Sequence, residues 1–124
     1  MANLTKSEED YLESIYVIQQ EKKVVRIKDI AKHLNIKLPS VTEAVKKLSQ
    51  KSLTIYERYG YVQLTSKGKK HAQEVFKKHQ AVFTFLTKIL RVKKETALKD
   101  ACLIEHNLSA ETLEKLIKFI EKNN

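Results

Sequence analysis

Three features of the 124-residue sequence predict a mainly α-helical protein with one short β-hairpin. Only two Gly and one Pro interrupt it, while 31% of residues are charged, a helix-rich composition. Apolar residues recur at helical spacing through most of the chain. The period falls to two only in "LTIYERYGYVQLT". No run approaches the ~18 apolar residues of a membrane-spanning helix, and the polar, acidic start "MANLTKSEED" is unlike a signal peptide. A single cysteine forms no internal disulfide, which suits a reducing, cytoplasmic location.

In chain order, "SEEDYLESIYVIQQE" predicts a first helix with Ser7 as its N-cap and acidic residues in the first turn. Tyr11, Leu12, Ile15, Tyr16 and Ile18 form its apolar stripe. Ile27, Ile30, Ala31 and Leu34 then line a short helix, and Val41, Ala44, Val45 and Leu48 line another, with Pro39 suited to its first turn. The tight "NIKL" between them completes a helix-turn-helix pattern. Two β-rich runs bent at Tyr59-Gly60 follow as a hairpin. A hairpin directly after the second helix of such a pair is a wing, so residues 1–70 are expected to form a winged helix-turn-helix with a small two-stranded wing.

Residues 71–124 are expected to form a helical dimerisation domain. A long connecting helix starts from a Thr65 or Ser66 cap and buries Val75, Val82, Phe85, Leu86 and Ile89. Helices near residues 95–106 and 109–122 follow. The last carries Leu113, Leu116, Ile117, Phe119 and Ile120 with Leu108 just before it, more apolar surface than a short tail hides alone, so pairing across a two-fold axis is expected.

The net charge of +9 is uneven. Residues 1–70 carry +6 (14 basic, 8 acidic), residues 71–94 carry +5 (6 basic, 1 acidic) and residues 95–124 carry −2 (4 basic, 6 acidic). A basic front suits a polyanion. With no Lys-rich helix bearing a bulky inserting face, nucleic acid is favoured over a membrane surface. Pro39, Ser40, Thr42, Glu43, Lys46 and Lys47 are expected to face double-stranded DNA from the recognition helix. Arg26, Lys28, Lys37 and the wing's Arg58 extend the basic face, and lysines on phosphate add affinity with little sequence information.

The segment "DACLIEHNLS" puts Cys102, Glu105 and His106 on one helical face. Asp10 and Glu13 share a side of the first helix, and His79 is bracketed by apolar positions. Two imidazoles, a thiol and three carboxylates suit a borderline divalent metal better than Ca or Mg. Each group also has a plain structural role: a lone Cys is a small buried hydrophobe, and an Asp-x-x-Glu serves a helix dipole. Spacing alone does not bring three helices together. A catalytic pairing of Cys102 with His106 lacks a Gly-rich turn or oxyanion donors, so neither an enzyme nor a small organic substrate is expected.

"SEEDYLESIY", "RIKDIA", "PSVTEAVKKL", "LTSKGKK", "KKH" and the C-x-x-E-H spacing occur in this order. Over about residues 5–120 the chain thereby resembles the diphtheria toxin repressor and manganese transport regulator family of metal-activated repressors, in a short form without the SH3-like domain. The resemblance implies metal positions at Asp10, Glu13, His79, Cys102, Glu105 and His106. Asp10 and Glu13 follow the manganese pattern, whereas Cys102 stands where short manganese regulators place a bridging Glu. Phe83 and Leu98 replace the partners of His79 in the larger repressors' second site. The implied function is metal-dependent repression of metal-uptake genes by a homodimer on a palindromic operator. Mn(II) is ranked ahead of Fe(II), with Co(II) or Zn(II) binding in vitro. The rival is a winged-helix regulator that senses oxidation of Cys102.

Overall fold

The computed structural model describes residues 4–123 and, among these, every side chain except that of Arg58. They fall into two compact units, Met1–Gln73 and Glu74–Asn124.

In the first unit, α1 (Lys6–Glu21) opens with a reciprocal cap. Glu8 N donates to Thr5 Oγ1 at 3.1 Å, and Thr5 N donates to Glu8 Oε1 at 3.0 Å. The N-cap is therefore Thr5, not the expected Ser7, because only T-x-x-E satisfies both orphan amides. Burial raises the Glu8 carboxyl, but the Lys51 ammonium and the Thr5 amide and hydroxyl outweigh it and hold it below the usual range. Helix α1 buries Tyr11, Leu12, Ile15 and Ile18. It also buries Ser14, whose hydroxyl lies 2.9 Å from His33 Nδ1.

Strand β1 (Val25–Arg26) leads into α2 (Ile27–Leu34), whose first turn is capped by Asp29 Oδ2 accepting from Arg26 N at 3.0 Å. Asn35 ends α2 in the left-handed conformation, φ 55°, which Asn tolerates better than most residues. Helix α3 (Leu38–Gln50) has Pro39 in its first turn, as expected. Strands β2 (Thr54–Tyr56) and β3 (Tyr61–Leu64) form the hairpin, pairing Thr54 with Leu64 and Tyr56 with Val62. The sheet has a third strand, because β1 pairs antiparallel with the other edge of β3 through Val25–Val62 and Arg26–Tyr61. Ile30, Val41, Val45, Leu48, Leu53 and Val62 close the core against α1.

Helix α4 (Ser66–Thr84) starts from Thr65, whose hydroxyl accepts from Gly68 N and donates to the Ser52 carbonyl. Gly68 is required there because a β-carbon would sit 1.9 Å from the Leu53 carbonyl oxygen, which is fixed backbone.

In the second unit α4 ends in a π-helical turn, Phe85–Ile89. Helices α5 (Lys94–Glu105) and α6 (Ala110–Asn123) follow. Val82, Leu86, Ala97 and Ala101 form a small core, flanked by Phe83, Phe85, Val92, Leu108 and Leu116. Two alanines at the α5 contact allow close helix approach. Part of the α6 stripe assigned to dimerisation is consumed here, since Leu116 packs on this core and Ile120 is buried. The large apolar groups left exposed in this unit are Leu90, Leu98, Leu103, Ile104 and Phe119.

Gly68→Ala is expected to destabilise the first unit by about 2 kcal/mol or more, an overpacking cost against backbone. Thermal unfolding followed by circular dichroism measures it, and an unchanged Tm would contradict the close approach.

Candidate metal centre

Four of the six expected ligands meet in the second unit. His79 comes from α4, while α5 supplies Cys102 and Glu105 and ends at His106. Glu105 is fully buried. Its Oε2 lies 2.6 Å from His79 Nδ1, and its Oε1 lies 3.3 Å from His106 Nε2 without hydrogen-bond geometry. Cys102, Glu105 and His106 each offer a ligand atom, all within 4.8 Å of one another. The His106 side chain is nearly buried and that of His79 about a quarter exposed.

The sequence explains this convergence. Positions 102, 105 and 106 follow the i, i+3, i+4 rule on one helical face, and Ala101 on the adjoining face lets α4 approach. The His79 ring is held twice, by Glu105 and by Phe83, which stacks at 8° with centroids 6.1 Å apart. Phe83 was expected only as a lost ligand partner. The i, i+4 spacing of His79 and Phe83 is the signal that reveals it as a support.

A buried carboxylate is costly unless neutralised. Here one of its oxygens makes no hydrogen bond among the described residues. Around it stand two nitrogens and a sulfur, which, with the carboxylate, fit a borderline divalent metal. The bond from the carboxylate to His79 Nδ1 fixes the orientation of the ring, as carboxylates do for histidines at metal sites.

The other two expected ligands lie in the first unit. Asp10 and Glu13 are three residues apart on α1 and both partly buried, and Asp10 pairs with Lys6 at 3.1 Å.

The expected DNA face also lies in the first unit. Lys28, Lys37, Pro39, Ser40, Glu43, Lys46 and Lys47 are exposed, and Thr42 is partly buried. Ser40, Glu43 and Lys47 line an open groove of about 660 Å³ together with Ser7 and Glu8 of α1 and its cap Thr5. The α1 residues had no sequence signal beyond capping. Arg26 is ordered by Tyr61: its guanidinium sits 5.1 Å over the ring and Nη2 donates to the hydroxyl at 3.3 Å. The Arg58 side chain is outside the described residues.

Comparison with known proteins gives a consistent picture. Residues 3–62 match the family described as iron dependent repressor, N-terminal DNA binding domain, and residues 65–124 match its metal binding and dimerisation domain. An uncharacterized HTH-type transcriptional regulator of Methanocaldococcus jannaschii is 40% identical, covering 96% of each chain. The HTH-type transcriptional regulator MntR of Bacillus subtilis is 37% identical, over 97% of this chain and 86% of that protein. Among solved structures, T. acidophilum IdeR superposes with a TM-score of 0.83 at 26% identity, over 98% of this chain. The manganese regulator SloR superposes with a TM-score of 0.82 at 30% identity, over 95% of it. The chain spans 56% and 55% of those two structures.

Glu105→Gln keeps the side chain's volume and removes its charge. In the metal-free protein its Tm should stay within a few degrees of wild type. The upshift on adding Mn(II) or Co(II), about 2.7 kcal/mol at a hundredfold excess over Kd, should be lost. Thermal shift with and without metal reads both, and an equal upshift in the variant would remove Glu105 from the ligand set.

Proposed function

The chain belongs to the iron-dependent repressor family, and on that premise we propose a homodimeric, metal-activated transcription repressor of metal-uptake genes, acting in the cytoplasm on a palindromic operator. The observation that carries this reading is the buried Glu105 carboxylate between His79 and His106 with Cys102 alongside. A plain structural ion pair would not need a thiol and a second imidazole at the same point. The family's metal-binding and dimerisation domain also favours metal over oxidation of Cys102 as the signal. The family's members are repressors, so Cys102 and His106 have no catalytic role.

We assign the full ligand set to Asp10, Glu13, His79, Cys102, Glu105 and His106. A divalent cation held by these groups would supply the positive charge that compensates the carboxylates and the thiolate. Asp10 and Glu13 belong to the helix that carries the DNA reader's core, and the other four belong to the dimerisation unit. Ligand groups from both units make metal affinity depend on how the units are held, and only that difference in affinity can shift the DNA-binding equilibrium. Leu98, Leu103 and Ile104 on α5 offer apolar surface for a second copy, on the helix that carries Cys102 and Glu105. Dimer geometry then sets the spacing of the two α3 helices on DNA.

On α3, Pro39, Ser40, Thr42 and Glu43 read the major groove, while Lys46, Lys47, Arg26, Lys28, Lys37 and Arg58 hold the backbone. The two α1 carboxylates favour Mn(II), and the Cys102 thiolate favours Fe(II), Co(II) or Zn(II). We rank Mn(II) first, because both hard ligands of α1 are present.

Two measurements test the assignment. Mn(II), anaerobic Fe(II), Co(II) and Zn(II) are titrated into the protein with its own upstream DNA, and binding is read by anisotropy. Wild type should bind only with metal, and Asp10→Ala should need at least tenfold more Mn(II), the loss expected for a ligand. Metal-independent binding would end the reading. In the same assay Cys102→Glu should raise the Mn(II) response relative to Fe(II), and an unchanged ratio would place selectivity elsewhere.

A further inference from the structure

We infer that Tyr59, at the tip of the wing, is a DNA contact that grips the sugar–phosphate backbone, an assignment that rests on the DNA-binding reading above. The β2–β3 connection bends through Glu57–Gly60, and within it Tyr59 has φ 69° and ψ 17°, followed by Gly60 at φ 79°. A left-handed conformation is free for Gly and mild for Asn, but it is strained for a bulky aromatic residue. Packing does not explain the choice. Tyr59 is 87% exposed, the most exposed of the large apolar and aromatic residues. Among the described residues its ring stacks on none and its hydroxyl bonds to none.

The contrast lies two residues away. Tyr61 is partly buried and engaged by Arg26 through both its ring and its hydroxyl. Tyr61 is thus explained by the fold and Tyr59 is not. A turn that would accept Asn or Gly without strain instead holds a large amphipathic side chain in water, and strain of this kind concentrates at functional positions. The wing tip projects beyond the pairing of β3 with β1, where the Arg26 guanidinium already supplies positive charge. A phenol there donates its O–H to a phosphate oxygen, and its ring covers a deoxyribose. Such a contact positions the wing and reads no base.

The test uses the full chain with Mn(II), a duplex from its own upstream region and a scrambled duplex of equal length. Tyr59→Asn relieves the backbone, so its Tm should equal or exceed wild type. Its affinity should fall about tenfold on both duplexes, the size of one charge-assisted hydrogen bond with its ring contact. Tyr59→Phe should lie between the two. Affinity within twofold of wild type would overturn the assignment. So would a drop of several degrees in Tm, which would make Tyr59 a folding residue, or a loss confined to the upstream duplex, which would make it a base reader. Wild-type protein that bound neither duplex would overturn the repressor reading itself, and this assignment with it.

Discussion

The second unit is organised around one buried carboxylate. Taking Glu105 out of water costs several kcal/mol unless charge or hydrogen bonds replace its hydration, and the chain supplies that replacement only in part. His79 bonds one oxygen from α4, while the other lies 3.3 Å from His106 Nε2 without a hydrogen bond. The apolar contribution here is modest, since the buried cluster around the site is just Val82, Leu86, Ala97 and Ala101 among the described residues. A small core tolerates a buried charge only where the polar cluster is well compensated. Stability of this unit is therefore tied to what occupies the cluster, a property suited to a sensor.

Helix α5 serves three demands on three faces. Ala97 and Ala101 give the close approach to α4, Cys102 and Glu105 give the donor groups, and Leu98 and Leu103 remain in water. Exposed leucines in one helix are more than the scattered apolar residues of an ordinary surface. They stand on the same helix as Cys102 and Glu105. The π-helical turn ending α4 serves the same packing, because it brings Phe85 edge-on to Phe119 of α6 with ring centroids 6.1 Å apart.

The sequence revealed what depends on period and missed what depends on pairing. Every helix was readable from apolar spacing, and the hairpin from its change of period at residues 53–65. Strand β1 was not, because two residues carry no period and its partner β3 lies 35 positions further on. The Ser7 cap was a local misreading: Thr5 wins because Glu8 stands three residues later and can return the hydrogen bond. At the site, Cys102, Glu105 and His106 were legible as one face of a helix. That His79 would meet Glu105 was legible only through family resemblance, since no spacing rule connects residues 26 apart. Phe83 was seen as an absence and is a support. Spacing also showed that α6 is amphipathic but not that Leu116 and Ile120 of its apolar side are taken up by this chain's own core.

Cys102 sharpens the question of selectivity. A carboxylate at that position could bridge two hard cations, whereas a thiolate is softer and draws the cluster toward Fe(II), Co(II) or Zn(II). The proposed α1 ligands Asp10 and Glu13 are harder, and they stand on a helix whose cap and core belong to the first unit. The two preferences therefore sit in different units. With the proposed ligand set, affinity and activation would be separable, a soft metal held mainly by the thiolate and imidazoles and Mn(II) depending on the carboxylates.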